Sequence, residues 1–112
     1  MAEREYQDID ARKEISKFIS GLMLEDGTVI EGTILGVTKE LVGQDTKSVL
    51  YIDSHEKGLP LNVTNYRTLI AALGGRTGAW AGAKVEIFGV PGNGPKGPCT
   101  QAKVRVLSKP SA

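Results

Sequence analysis

The sequence has little with which to do covalent or metal chemistry. Its 112 residues include one cysteine, Cys99, and one histidine, His55. A lone cysteine excludes an internal disulfide, and two single residues exclude a zinc-type cluster of His and Cys. Asp53, His55 and Glu56 stand close together, but on a polar turn such a group is the ordinary make-up of a solvated loop. Carboxylates alone around magnesium stay open at this level, whereas no pair of nucleophile and base suggests itself. The expectation is a protein that is not an enzyme and that holds no metal and no cofactor.

Long apolar runs are missing as well, since no stretch nears the roughly 20 residues of a membrane-spanning helix. The opening MAEREYQDIDARKE is charged where a secretory leader is apolar, which points to a cytoplasmic chain without membrane contact. Acidic residues are nearly absent from one half. Residues 1–56 hold six Lys/Arg and twelve Asp/Glu, whereas residues 57–112 hold eight Lys/Arg and Glu86 alone. A formal net charge of +1 therefore conceals an acidic half and a basic half. Two readings fit that split, a polyanionic partner or two halves that attract each other across one fold.

Periodicity organises the chain into an N-terminal arm (1–14), a single domain (15–108) and a short C-terminal tail (109–112). Ile15, Phe18, Ile19 and Leu22 have the spacing of a short helix, limited by Gly21. Asp26-Gly27 is a turn, and TVIEGTILGV after it is a β-branched strand that Gly32 and Gly36 allow to bend. SVLYID at 48–53 is a second strand and GLPLN at 58–62 a third, pushed toward an edge by Pro60. Val63, Tyr66, Leu69, Ile70 and Leu73 then recur as the apolar stripe of a helix, with Asn62 or Thr64 to cap it and Gly74 to end it. AKVEIFGV at 83–90 and TQAKVRVLS at 100–108 alternate with period two as strands four and five. A mainly β chain with one helix between strands three and four matches a five-stranded OB-like barrel, with an SH3-like barrel weakened by the full-length helix.

Between the last two strands, Gly92-Asn93-Gly94-Pro95-Lys96-Gly97 reads G-x-G-x-x-G. A dinucleotide site needs that fingerprint between a strand and a helix, and here a strand follows. Prolines at 91, 95 and 98 remove three amide donors, and Lys96 is followed by glycine rather than Ser or Thr, so a phosphate cradle fails too. What remains is a long, stiff hairpin connection, either a flap over a polymer with Lys96 on a phosphate or a plain solvated loop.

Alternation sorts the basic half. Val85 and Ile87 oppose Lys84, Glu86 and Phe88, while Ala102, Val104 and Val106 oppose Lys103 and Arg105. If the two strands are antiparallel neighbours, Lys84, Phe88, Lys103 and Arg105 share a face, with Lys96 at its end. Cations beside an aromatic are what single-stranded nucleic acid uses, phosphates pairing with the cations and bases stacking on the ring. The plainer reading is a solvated face with Phe88 tucked under the Pro-Gly loop. Trp80, between glycines at a strand start, reads as a core plug, and Tyr66 joins the buried helix stripe.

SVLYID, KGLPLNVTNYRTLIAALGGRTGAWAGAKVEIF and AKVRV resemble a group of small phage and prophage hypothetical proteins. Their pattern joins L-N-x-T-N at a helix start to F-G-x-x-T-x-x-W-x-G-K-x-V and a final basic strand. It corresponds to Leu61-Asn62-Val63-Thr64-Asn65, then to Leu73-Gly74 through Thr77 and Trp80 to Gly82 and Val85. The resemblance covers about residues 28–106. It implies an OB-like fold and single-strand binding in phage DNA replication or recombination. The chain departs from the pattern at Gly75 and Arg76, where the group has acidic residues, and at Ala83, with lysine one place later at Lys84. The sequence thus leads to a non-catalytic protein binding single-stranded nucleic acid, DNA by the resemblance. A protein-interaction adaptor, or an inhibitor of a host protein, is the alternative.

Overall fold

In the computed structural model, residues 6, 8, 17–94 and 97–110 are described. They form β1 (Ile30–Val42), β2 (Asp45–Ile52), β3 (Leu59–Pro60), α1 (Val63–Leu73), β4 (Lys84–Gly94) and β5 (Gly97–Ser108). All five strands join one antiparallel sheet in the order β3-β2-β1-β4-β5, and the helix falls between β3 and β4. No ladder connects β3 to β5, so the sheet is open along that seam.

The seam is occupied by the residues that precede β1. Phe18 bridges Gly58 in parallel, and the Ile19 N–H donates to the Gly58 carbonyl at 2.8 Å. Gly21 then passes so close to β5 that a Cβ there would lie 1.7 Å from the Thr100 carbonyl oxygen. A short 3-10 turn, Gly21–Leu24, drops Leu24 beneath Gly89. The short helix expected from Ile15, Phe18, Ile19 and Leu22 does not form over its described part. Ile15 lies outside the described residues, and Phe18–Ile19 is extended because pairing with Gly58 and burying Ile19 outweighs an isolated helical turn.

The helix has the bounds its sequence predicts. Of the two candidate caps, Asn62 fills the role: its side-chain oxygen accepts from the Asn65 N–H at 2.8 Å. Gly74 ends the helix at φ +93°, a conformation that favours glycine, with its N–H on the Ile70 carbonyl. The buried stripe is narrower than predicted. Leu69 is fully buried and Tyr66 and Leu73 partly so, but Val63 and Ile70 are 65% and 45% exposed. The helix is turned to present Asn65, a polar residue, to β5.

One hydrophobic cluster runs beneath the sheet, built from Ile34, Leu50, Ile52, Val85, Ile87 and Val104 with Leu69 and Trp80. Trp80 is fully buried, its Nε1–H donating to the Gly74 carbonyl at 2.9 Å, and Tyr66 tilts against it at 6.3 Å between centroids. The tryptophan therefore fastens the end of α1 to the core, as a plug. β1 is bulged between Ile34 and Gly36, which lifts Leu35 out of register and into solvent.

The Gly-Pro connection is not a long loop. β4 and β5 stay paired out to Gly94 and Gly97, with Pro91 opposite Thr100 and Pro98 opposite Asn93. Ala102 and Val104 turn their backbone polar groups away from β4, toward Asn65. By alternation Pro98 also faces away from the ladder, and so does Pro91 on the other strand, so neither proline removes a ladder bond. Missing N–H groups on the outer edges of this projecting ribbon instead discourage pairing with another chain.

Candidate nucleic-acid interface

The outer face of β4 and β5 is set by register. Phe88 lies directly opposite Lys103, and Glu86 opposite Arg105. With Val85, Ile87 and Val104 buried in the core, strict alternation turns Lys84, Glu86, Phe88, Lys103 and Arg105 to the other side. The shared face read from the sequence is therefore present for Lys84, Phe88, Lys103 and Arg105. Lys96 lies outside the described residues, as does Pro95.

Phe88 is half-buried, and what covers it is Arg105, whose guanidinium carbon sits 4.8 Å from the ring centroid. The alternative in which a Pro-Gly loop folds over the ring is not what forms, because that loop continues as ribbon in the same sheet. A guanidinium held over an aromatic ring keeps its outward plane free, and such planes stack on bases as aromatic rings do.

Two carboxylates also sit here: Glu86, which alternation places on this face, and Glu31 of β1, which the strand pattern did not bring into play. Lys84 Nζ lies 3.2 Å from Glu31 Oε1, and Arg105 Nη1 lies 3.7 Å from Glu86 Oε1. Glu31 and Glu86 are direct neighbours in the β1–β4 register. Each cation pairs with an acid on an exposed surface, where such pairs are weak and yield readily to a stronger anion. Lys103 has no carboxylate partner among the described residues.

Farther along the ribbon, Val90 faces Gln101 and Gly92 faces Cys99 on the same side. Gln101 folds down over Gly92, where a Cβ would lie 2.5 Å from its Cδ. Prolines 91 and 98 hid this stretch from a pattern search, although the alternation of strand four continues through Val90 and Gly92.

Three other aromatic rings are committed elsewhere. Trp80 and Tyr66 pack in the core, and Tyr51 is covered by Gly58 while its hydroxyl donates to Glu40 Oε2 at 2.6 Å. The Thr38 hydroxyl donates to the same oxygen at 2.5 Å. These bonds, Thr38 first, hold the Glu40 carboxyl below its usual range, and the carboxylate in turn raises the Tyr51 phenol.

On the turn after β2, Asp53 accepts from the Thr33 N–H at 2.9 Å and His55 Nδ1 accepts from the Lys57 N–H at 3.0 Å. Both groups thus serve local stitching. Among the described residues no group of three or more His, Cys, Asp or Glu is arranged to hold a metal ion, and no helix is long and apolar enough to cross a membrane. Comparison with known proteins finds no matching family model, no matching curated protein and no matching solved structure.

Proposed function

We propose that this chain is a non-catalytic, OB-like protein that binds single-stranded nucleic acid on the outer face of β4 and β5, DNA by its phage-type sequence resemblance, in replication or recombination. The OB-like reading draws on the strand order, on the helix between β3 and β4, and on the seam between β3 and β5. Residues 18–21 and the Asn65 side chain fill that seam where a closed barrel has a ladder.

The observation that carries the binding reading is Phe88 with Lys103 across from it and Arg105 laid over it. A base stacks on the Arg105–Phe88 pair, while Lys103 takes the neighbouring phosphate. Lys84 and Arg105 exchange Glu31 and Glu86 for phosphates, at little cost because exposed ion pairs are weak. Lys96, which lies between β4 and β5 in sequence, is proposed as a further phosphate contact.

Fluorescence anisotropy with a labelled oligonucleotide at two salt concentrations tests this. Binding that weakens steeply with salt is expected, because neutralised phosphates release counterions. The adaptor reading draws on Val63 and Ile70, two apolar side chains that α1 leaves exposed seven residues apart. No oligonucleotide binding in low salt would leave the adaptor reading standing alone.

A further inference from the structure

Lys103 borders two surfaces at once. Across the ladder it stands opposite Phe88, and at the other edge of β5, away from β4, it lines a cleft of about 580 Å³ between residues 19–21 and the start of α1. The cleft joins the apolar side chains of Leu59, Pro60 and Val63 to the hydroxyls of Ser20 and Thr64. Neither hydroxyl has a hydrogen-bond partner among the described residues. A mostly apolar lining with a few free polar groups, at this volume, is the ordinary make-up of a small-ligand site. Among the described residues no carboxylate lines the cleft, whereas Glu31 and Glu86 stand on the β1 side of Phe88. A polyanion leaving Phe88 toward β1 meets two acids, and one leaving over Lys103 meets none.

We infer that this cleft is a second nucleotide site: the phosphate next to the base on Phe88 rests on Lys103, and the following base turns into the cleft against Pro60 and Val63. This rests on the single-strand reading above. Neighbouring strands of a sheet lie about 5 Å apart, so Phe88 and the cleft flank Lys103 on the two sides of β5. The two bases splay to either side of the phosphate between them, as unstacked bases of a single strand can. Ser20 and Thr64 then bond the edge of the base in the cleft. A hydroxyl both donates and accepts, so the pair meets a base edge of either kind and the site takes any of the four bases. The nucleic acid therefore crosses β5 toward α1 instead of running out along the β4–β5 ribbon.

The experiment uses the full chain and a single-stranded oligonucleotide carrying 4-thiothymidine, cross-linked by light and mapped by mass spectrometry. Cross-links are expected both at Phe88 and within residues 59–64. The double variant Ser20→Ala/Thr64→Ala, which removes both hydroxyls and leaves the core untouched, is expected to lower affinity for the same strand about tenfold. Its salt dependence stays unchanged, because no cation is lost. Urea unfolding of the variant checks that the fold is kept. Cross-links at Phe88 with none in residues 59–64 overturn the inference while leaving the single-strand reading intact, and so does a folded double variant of unchanged affinity. A wild-type protein that does not bind the strand overturns that reading, and this inference with it.

Discussion

The side chain of Asn65 pairs with β5 as a neighbouring strand would: Oδ1 accepts from the Val104 N–H at 3.2 Å while Nδ2 donates to the Ala102 carbonyl at 3.1 Å. Asn65 is 1% exposed, so water cannot replace it. Removing it strands two polar groups of the β5 backbone. Asn65→Leu, which keeps the branched shape and number of side-chain heavy atoms but no polar atom, is therefore expected to destabilise the fold by about 2 kcal/mol or more despite its greater hydrophobicity, as measured by urea unfolding. Unchanged stability would show that the seam is held by packing alone.

Trp80 separates packing from hydrogen bonding in the same core. Trp80→Ala leaves a large void and is expected to cost about 3 to 5 kcal/mol. Trp80→Phe retains most of the contact with Tyr66 but abandons the Gly74 carbonyl, an additional loss of about 1 kcal/mol in hydrogen bonding beyond the lost volume. Denaturant titration of both variants checks the order.

On the outer face, roles are expected to separate by salt dependence. Lys103→Ala reduces the magnitude of the slope of log affinity against log salt by about 0.7, one phosphate contact on a single strand. Phe88→Ala lowers affinity at every salt concentration and leaves that slope nearly intact, because stacking releases few ions. Glu86→Gln frees Arg105 from its carboxylate and raises affinity, most visibly in low salt. Anisotropy titrations over a salt series read all three.

Glu40 gives a pH signature away from that face. Its folded-state pKa is depressed, so its contribution to stability is present above the unfolded value and is lost as pH falls through the folded one. Carboxyl titration by NMR is expected to find Glu40 below ordinary glutamates. Thr38→Ala moves it back toward them more than Tyr51→Phe does, since the Thr38 bond is the larger cause. In the wild-type protein Tyr51 is expected to ionise at higher pH than a free phenol, because its hydroxyl proton is held in the hydrogen bond to Glu40.

The helix and the two sides of β4 and β5 were legible in the sequence because they depend on nearby residues. Asn62 caps through a bond to Asn65, three places on, and Gly74 ends the helix through its own φ. Alternation in β4 and β5 fixes which side chains share a face as soon as the strands pair, and the register pairs Phe88 with Lys103. Trp80 announced itself by size, since a ring among glycines has only the core in which to be covered.

Relations between distant segments were decided only in three dimensions. A proline reads as a strand breaker unless its missing N–H points outward, and for Pro91 and Pro98 that depends on which edge of the ribbon is left open. The helical spacing of Ile15 to Leu22 gave way over its described part to an extended path because Gly58 and Thr100, far along the chain, border the seam into which Ile19 and Gly21 fit. Glu31 and Glu86 meet through the register of β1 against β4, a contact that no local pattern encodes. The sequence by itself determined helix α1 and the two sides of β4 and β5, since those follow from neighbours within about four residues. Tertiary structure alone decided which elements border one another: it turned the helix so that Asn65 rather than Ile70 is buried, because β5 offered unpaired backbone groups that only a polar side chain satisfies.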